Sequence, residues 1–316
     1  MSSDAQPTSS MRYRVVVVLG PTAAGKSQLG IELAHRLNGE VVNADSMQLY
    51  QGMDVGTAKL TPDERQGVVH HLLDIWPVTR TASVAEYQTH ARAAIDDIVA
   101  RGRTPILVGG SGLYIRAVID DMSFPGTDAD VRANLEAELA VVGAPEMHAR
   151  LAATDAATAA TMLPTNGRKI VRALEVAAIG GGSFTGLMPS YDSVFDAVLI
   201  GVDRPTAELD ERLTLRVDLM WQQRLVEEVR GLAEHSGLRD GVTARRALGY
   251  KQVLAFLDSE ISEDEARART VQATKRFVRR QRSWFRPDPR IQWLTAGPDL
   301  VENASLITES SRSPSP

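Results

Sequence analysis

Short runs of β-branched and aliphatic residues alternate along this chain with stretches whose apolar side chains recur every three or four positions. Arg14–Leu19, Val41–Asn43, Ile106–Val108, Ala197–Val202 and Ile291–Leu294 are near-continuous apolar runs, the pattern of strands covered on both faces. Lys26–Leu37 carries Leu29, Leu33 and Leu37 at a spacing of four, which predicts a helix with one apolar face. A second helix opens at Ser83, where Ser-Val-Ala-Glu forms a capping box, and closes at Gly102. Its Val84, Tyr87, Ala91, Ile95 and Ile98 share one side. Strands alternating with helices in this way predict an α/β fold, a parallel sheet flanked by helices.

The alternation is interrupted. Residues 122–193 are Ala-rich and lack strand signals, with Thr127-Asp128-Ala129-Asp130 capping one helix and Arg168–Ile179 forming another before Gly180-Gly181-Gly182. This reads as an all-helical insertion, a lid or clamp, in a core made of 11–121 and 194–303. Further helices are expected over Ala207–His235 and Tyr250–Leu257, and a last one opens at the capping box Ser262–Glu265. Residues 1–10 and 304–316 are polar and rich in Ser and Pro at their outer ends, which predicts disorder.

Composition and charge change the picture further. Cysteine is absent, which excludes disulfides and thiolate zinc sites. The longest aliphatic run, Val15–Leu19, falls far short of the roughly 20 residues a bilayer span needs. No export leader is evident, so the cytoplasm is the expected location. The net charge of −5 is unevenly spread: Ala266–Arg286 holds eight basic residues and no acid, leaving −13 on the rest. That asymmetry predicts one anion-binding face on an acidic protein.

Gly20-Pro21-Thr22-Ala23-Ala24-Gly25-Lys26-Ser27 fits G-x-x-x-x-G-K-[ST] at every fixed position, directly after a strand and opening a helix. Such a loop turns backbone N–H groups and a helix dipole toward phosphate oxygens. Lys26 adds a point charge, and the Ser27 hydroxyl suits Mg²⁺. A P-loop alone does not specify the reaction. A small-molecule or nucleoside kinase and an RNA-binding ATPase both remain open at this point. Against both, Pro105–Val108 runs into Gly109-Gly110-Ser111-Gly112 with no Asp where a Walker B carboxylate would stand; the strand-end acid is Asp45.

From about Val15 to Leu294 an ordered series of motifs resembles the tRNA dimethylallyltransferase (tRNA isopentenyltransferase) family of bacterial type. After the P-loop come D-S-M-Q-L-Y at 45–50, G-T-A-K at 56–59, H-H-L-L-D at 70–74 and V-G-G-S-G-L-Y at 108–114, then R-K-I-V-R-A-L-E at 168–175, R-A-L-G-Y-K at 246–251 and R-R-Q-R-S-W-F-R at 279–286. The resemblance implies a P-loop NTPase-like core and a monomeric enzyme. It implies transfer of a dimethylallyl group from dimethylallyl diphosphate, with Mg²⁺, to the exocyclic amine of the adenosine 3′ of the anticodon in tRNA. Pyrophosphate then leaves. The adenosine would be flipped out of the anticodon loop, at a cost of about a few kcal/mol of unstacking. No C-terminal zinc finger of the eukaryotic kind can form without cysteine.

Roles follow from the motif match. Asp45 stands as general base; Lys26, Thr22 and Ser27 as ligands of the diphosphate and its Mg²⁺; Ser111, where the family usually has Thr, as a hydroxyl for the leaving oxygen; Arg216 as a neutraliser of pyrophosphate. The segments implied to hold RNA are Asp45, Ser46, Met47 and Gln48; Ser111; Arg132; Arg168, Lys169 and Arg172; Arg246, Gly249, Tyr250 and Lys251; and Arg279, Arg280, Gln281, Arg282, Ser283, Trp284 and Arg286. Spacing supports the last group independently, since Lys275, Arg279, Arg282 and Arg286 form a basic stripe on one helical face. His70-His71 reads as structural, because adjacent strand residues point to opposite faces.

Overall fold

The computed structural model describes residues 13–180 and 191–310. Along the chain lie β1 (Arg14–Leu19), α1 (Lys26–Leu37), β2 (Gly39–Asn43), β3 (His70–His71), α2 (Val84–Ala100), β4 (Thr104–Gly109) and α3 (Gly112–Ile119). Then come α4 (Ala129–Val142), α5 (Ala144–Thr154), α6 (Ala156–Ala159), α7 (Gly167–Ala178), β5 (Asp196–Asp203), α8 (Thr206–Gln222) and α9 (Leu225–His235). The series ends with α10 (Tyr250–Leu257), α11 (Glu263–Phe285), β6 (Gln292–Thr295) and α12 (Leu300–Ser310). The strands form one sheet in the order β3-β2-β4-β1-β5-β6, every pair parallel. This is the expected α/β sheet, enlarged by β3, a two-residue strand too short to show a hydrophobic pattern.

Alternation along the strands divides the sheet's side chains between two cores. Val15, Val17, Leu19, Val42, Leu107 and Leu199 join Tyr87, Ile95 and Val229 on one face. Val16, Val18, Val41, Ile106, Val108 and Ile200 pack with Leu29, Leu33 and Ala304 on the other. A sheet buried on both faces therefore reads as unbroken apolar runs rather than alternation. Ser83 caps α2 by accepting from Glu86 N at 3.3 Å, as the capping box predicts.

The chain divides into two compact units, Asp121–Asp192 and the remainder. The smaller unit holds α4 to α7 around its own core of Leu135, Met147, Leu151, Ile170 and Leu174. The triple glycine falls partly outside the described residues, as do the tails 1–10 and 311–316. Among the described residues no helix is long and apolar enough to cross a membrane.

Two helical expectations change. The single helix over 207–235 is two helices, broken at Arg224, which takes a left-handed φ of 69°. The buried stripe explains the break: Leu209, Leu213, Val217 and Met220 keep helical spacing, but the next core position is Leu225, one residue beyond where the turn would place it. The tail expected to be disordered from 304 is instead helical through Ser310, because Ala304, Ser305 and Thr308 are buried.

Candidate active site

In an open parallel sheet, ligands bind beyond the carboxyl ends of the strands. Gly20 follows β1, Asp45 lies just past β2, Gly110 follows β4 and Arg204 follows β5, so each functional segment leaves the same edge. The P-loop enters α1 through Gly25, whose φ of 111° disfavours any residue with a Cβ. Side chains from distant segments hold the loop's carbonyls: Arg204 Nε donates to Ala24 O at 3.0 Å and Arg212 Nε to Ala23 O at 3.0 Å. Gln281, buried on α11, accepts from Thr22 N at 3.0 Å and donates to Gly110 O at 2.9 Å, tying the loop to the end of β4. Gly109 lies so close to the β2 end that a Cβ there would sit 2.2 Å from Ala44 O.

A cleft of about 810 Å³ opens over this edge. The P-loop contributes Thr22, Gly25, Lys26 and Ser27; β2 and the turn after it contribute Asn43 and Asp45; α8 contributes Arg212, Leu215, Arg216 and Leu219. Lys26 Nζ donates to Pro21 O at 2.7 Å. Burial pushes its ammonium down to about 8, opposed by the Asp45 carboxylate and reinforced by Arg216. Arg216 is likewise lowered by burial and raised by Asp45. Two cations and one carboxylate thus sense one another on the cleft floor, an arrangement suited to an anionic leaving group beside a proton acceptor.

Asp45 is partly exposed. Its Oδ1 accepts from Met47 N at 3.0 Å, and its own N–H donates to Asn43 Oδ1 at 3.0 Å. Asn43 also donates to Leu72 O at 3.1 Å, and Tyr87 donates to Asn43 O at 2.8 Å. The strand end is therefore rigid beneath the acid. Ser111 Oγ accepts from Ser46 N at 3.2 Å, joining the β4 loop to the 45–48 turn.

The IPP transferase family profile matches residues 48–288, about three quarters of the chain. The chain belongs to this family. The tRNA dimethylallyltransferase of Acidothermus cellulolyticus is 62% identical over 309 residues, covering 98% of this chain and 97% of the relative. The full-length tRNA isopentenylpyrophosphate transferase from Bacillus halodurans is 36% identical with a TM-score of 0.71, covering 95% of this chain and 97% of that structure. A eukaryotic dimethylallyltransferase solved acting on tRNA is 26% identical with a TM-score of 0.81, covering 94% of this chain and 78% of that one.

For an IPP transferase, the residues implied to hold RNA separate into accessible and enclosed sets. Arg168, Lys169, Arg246, Lys251, Arg279, Arg280, Ser283 and Arg286 are exposed. Trp284 is 49% exposed, with its indole edge against Gly112, where a Cβ would meet it at 1.9 Å. Others need correction. Arg282 is buried: Nε and Nη2 donate to Asp203 Oδ1 at 3.1 and 2.7 Å, and Nη1 to Thr206 Oγ1 at 2.8 Å. It lies on the inner face of α11 with Val278 and Phe285, so the stripe read as an RNA-holding face turns one of its arginines into the fold. Gln281 faces the P-loop, as described. Tyr250 is fully buried, with its hydroxyl on Glu228 at 2.5 Å, and Gly249 is buried beside it. In the smaller unit Arg132 and Arg172 close on the buried Glu175 at 2.7 and 2.9 Å, and Arg172 also donates to Pro125 O and Gly126 O. Both guanidinium groups stay part-exposed; the Arg172–Glu175 contact is an i,i+3 pair within α7, whereas the contact from Arg132 on α4 is one that spacing along a single helix could not reveal.

His70 and His71 form the edge strand β3, and His70 also lines the cleft. His71 Nε2 meets Glu40 Oε2 at 2.6 Å, and a hydrogen bond from Arg101 holds the Glu40 carboxyl down to about 2 despite its burial. Among the described residues no group of three or more acidic or histidine side chains is placed to hold a metal.

The burial of Arg282 carries a stability prediction. Replacing it by Ala leaves the part-exposed Asp203 carboxylate with only Arg204 N at 2.8 Å, and losing hydrogen bonds to a charged group costs about 1.5–3 kcal/mol. The expected result is a clear drop in melting temperature. An unchanged melt would return Arg282 to the surface stripe.

Proposed function

We propose that the chain transfers the dimethylallyl group of dimethylallyl diphosphate to the exocyclic amine of the adenosine 3′ of the anticodon in tRNA. The amine nitrogen attacks the allylic carbon, the carbon–oxygen bond breaks, and its electron pair leaves with pyrophosphate. Asp45 takes the proton released by the nitrogen. Lys26 and Arg216 offset the negative charge that grows on the departing oxygens, and the P-loop N–H groups cradle the phosphates. Ser111 is the hydroxyl assigned to the leaving oxygen; in this structure it donates to Ser46 Oγ at 3.3 Å. Leu215 and Leu219, 61% and 52% exposed on α8 in the same cleft, suit the five-carbon prenyl tail. The observation that carries this reading is the meeting of Asp45, Lys26 and Arg216 in one cleft over the P-loop, in a member of the IPP transferase family.

The oxygen donors fit Mg²⁺ brought in on the diphosphate. The Ser27 hydroxyl lines the cleft, and Mg²⁺ takes few protein oxygens when substrate phosphates supply the others. When bound, it neutralises phosphate charge.

The test is incubation with unmodified tRNA, Mg²⁺ and labelled dimethylallyl diphosphate, followed by nucleoside analysis. Label on adenosine without ATP consumption is the expected result. ATP hydrolysis stoichiometric with product would overturn the reading in favour of a kinase or ATPase.

The exposed arginines of α11 carry a separate expectation. Each phosphate contact contributes about one unit to the slope of log affinity against log salt. Arg279→Gln with Arg280→Gln should weaken tRNA binding and flatten that slope by about two, read by filter binding across a salt series. An unchanged slope would place this face away from the RNA.

A further inference from the structure

Asp54, Val55, Thr57, Ala58 and Lys59 line the cleft from a loop with turns at 55–58, closed on itself by Ala58 N to Val55 O and Lys59 N to Asp54 O, each at 3.0 Å. Side chains anchor that loop to the rest of the fold. On α9, Glu228 Oε2 accepts from Asp54 N at 3.1 Å and Val55 N at 2.7 Å, while Oε1 accepts from Gly56 N at 3.2 Å and from the Tyr250 hydroxyl at 2.5 Å. Three successive backbone N–H groups thus converge on one carboxylate, the geometry by which a nest holds an anion. Burial first, and then Glu228, keeps the Tyr250 phenol well above its ordinary value, so it remains a donor. Gly56 packs on that ring: a Cβ there would lie 2.4 Å from Tyr250 Cε2. From within, the Lys59 ammonium donates to Tyr50 O at 3.0 Å and to Asp54 and Asp74 at 2.6 Å each.

The strapped loop in turn holds a residue beside the base. Gln48 Nε2 donates to Thr57 O at 3.1 Å. Both oxygens within its reach on the loop are carbonyls, so the amide nitrogen faces the loop and Oε1 is left as an acceptor. Gln48 and Asp45 line the same cleft. We infer that Glu228 is a positioning residue for the transfer: by fixing residues 54–58 it sets Gln48, and with it the nucleobase, relative to Asp45. This rests on the proposed reading of the site. Glu228 touches no substrate, and its effect runs through the loop.

The test compares wild type, Glu228→Gln and Tyr250→Phe in steady-state transfer with each substrate varied, together with melting and amide hydrogen exchange. Gln puts an NH₂ where the loop N–H groups need an acceptor. Amides 54–56 should exchange faster, and kcat/KM for tRNA should fall about 10–100-fold, while KM for the diphosphate stays within about twofold, because misplacing a substrate by an ångström costs rates of that order. Tyr250→Phe leaves the three N–H bonds in place and should give a smaller loss in the same direction. Faster exchange with unchanged tRNA kinetics would overturn the inference, as would an equal loss for both substrates alongside a lower melting temperature. If Glu228→Gln does not fold, Tyr250→Phe decides: the tRNA-specific loss supports the inference and wild-type constants overturn it. Wild type that transfers nothing to tRNA would refute the functional reading itself, and the exchange data would still report whether the strap exists.

Discussion

Lys26→Ala should abolish transfer at ordinary diphosphate concentrations, by about 10²–10³ in kcat, while the protein folds normally. The ammonium stands on the cleft floor beside the loop whose N–H groups cradle phosphate, so its loss falls on the charge that grows as pyrophosphate departs. The wild-type enzyme should also carry the signature of this group in its pH profile. Burial lowers the free-enzyme ammonium from 10.5 to about 8, with Asp45 opposing and Arg216 adding to the shift. The cation is the form that binds an anion, and its fraction falls as pH rises through that value. kcat/KM for the diphosphate should therefore decline above about pH 8, since this ratio reports the free enzyme. In the complex, the bound diphosphate's negative charge favours the ammonium, so the limb in kcat should lie at higher pH. Lys26→Arg, permanently charged, should lose the limb even where its activity is lower. A kcat/KM profile flat through pH 8 in the wild type would remove Lys26 from diphosphate binding.

What the sequence disclosed and what it hid divide along one physical line. The strands, the P-loop and the capping box at Ser83 are local: the residues that determine them lie within a few positions of one another. The halt at Arg224 was local too, written in the step from Met220 to Leu225, but a long polar helix conceals a one-residue slip. Gln281, Glu228 and Arg282 are of another kind. Each is a polar side chain whose partner lies 259, 172 or 79 residues away, at Thr22, Gly56 and Asp203. Composition gives such residues a surface reading, and for a single arginine on a charged helix that reading is the better one. In α11 the helical wheel placed Arg282 on the basic stripe, although its neighbours Val278 and Phe285 already marked the inner face. A stripe at helical spacing reports a face; it does not say whether that face meets water or an acid from another strand.

Asp45→Asn separates chemistry from architecture at the centre of the cleft. Asp45 does structural work in the fold: its Oδ1 accepts from Met47 N at 3.0 Å, closing the turn that leads from β2 to Gln48. An asparagine makes the same turn through its own Oδ1, so melting temperature and tRNA affinity should change little. The substitution removes only the carboxylate's ability to take a proton. Loss of a general base costs about 10²–10⁴ in rate, and single-turnover transfer with saturating tRNA and diphosphate should collapse by that amount. A second signature follows from the neighbouring cations. Asp45 supports the charged form of both Lys26 and Arg216, so its neutralisation should move the alkaline limb of kcat/KM for the diphosphate to lower pH than in the wild type. A base acting alone, out of contact with the phosphate-binding lysine, would leave that limb in place. A mutant within about threefold of wild type in single turnover would be too active for an enzyme lacking its base, and Asp45 would then be a turn residue and nothing more.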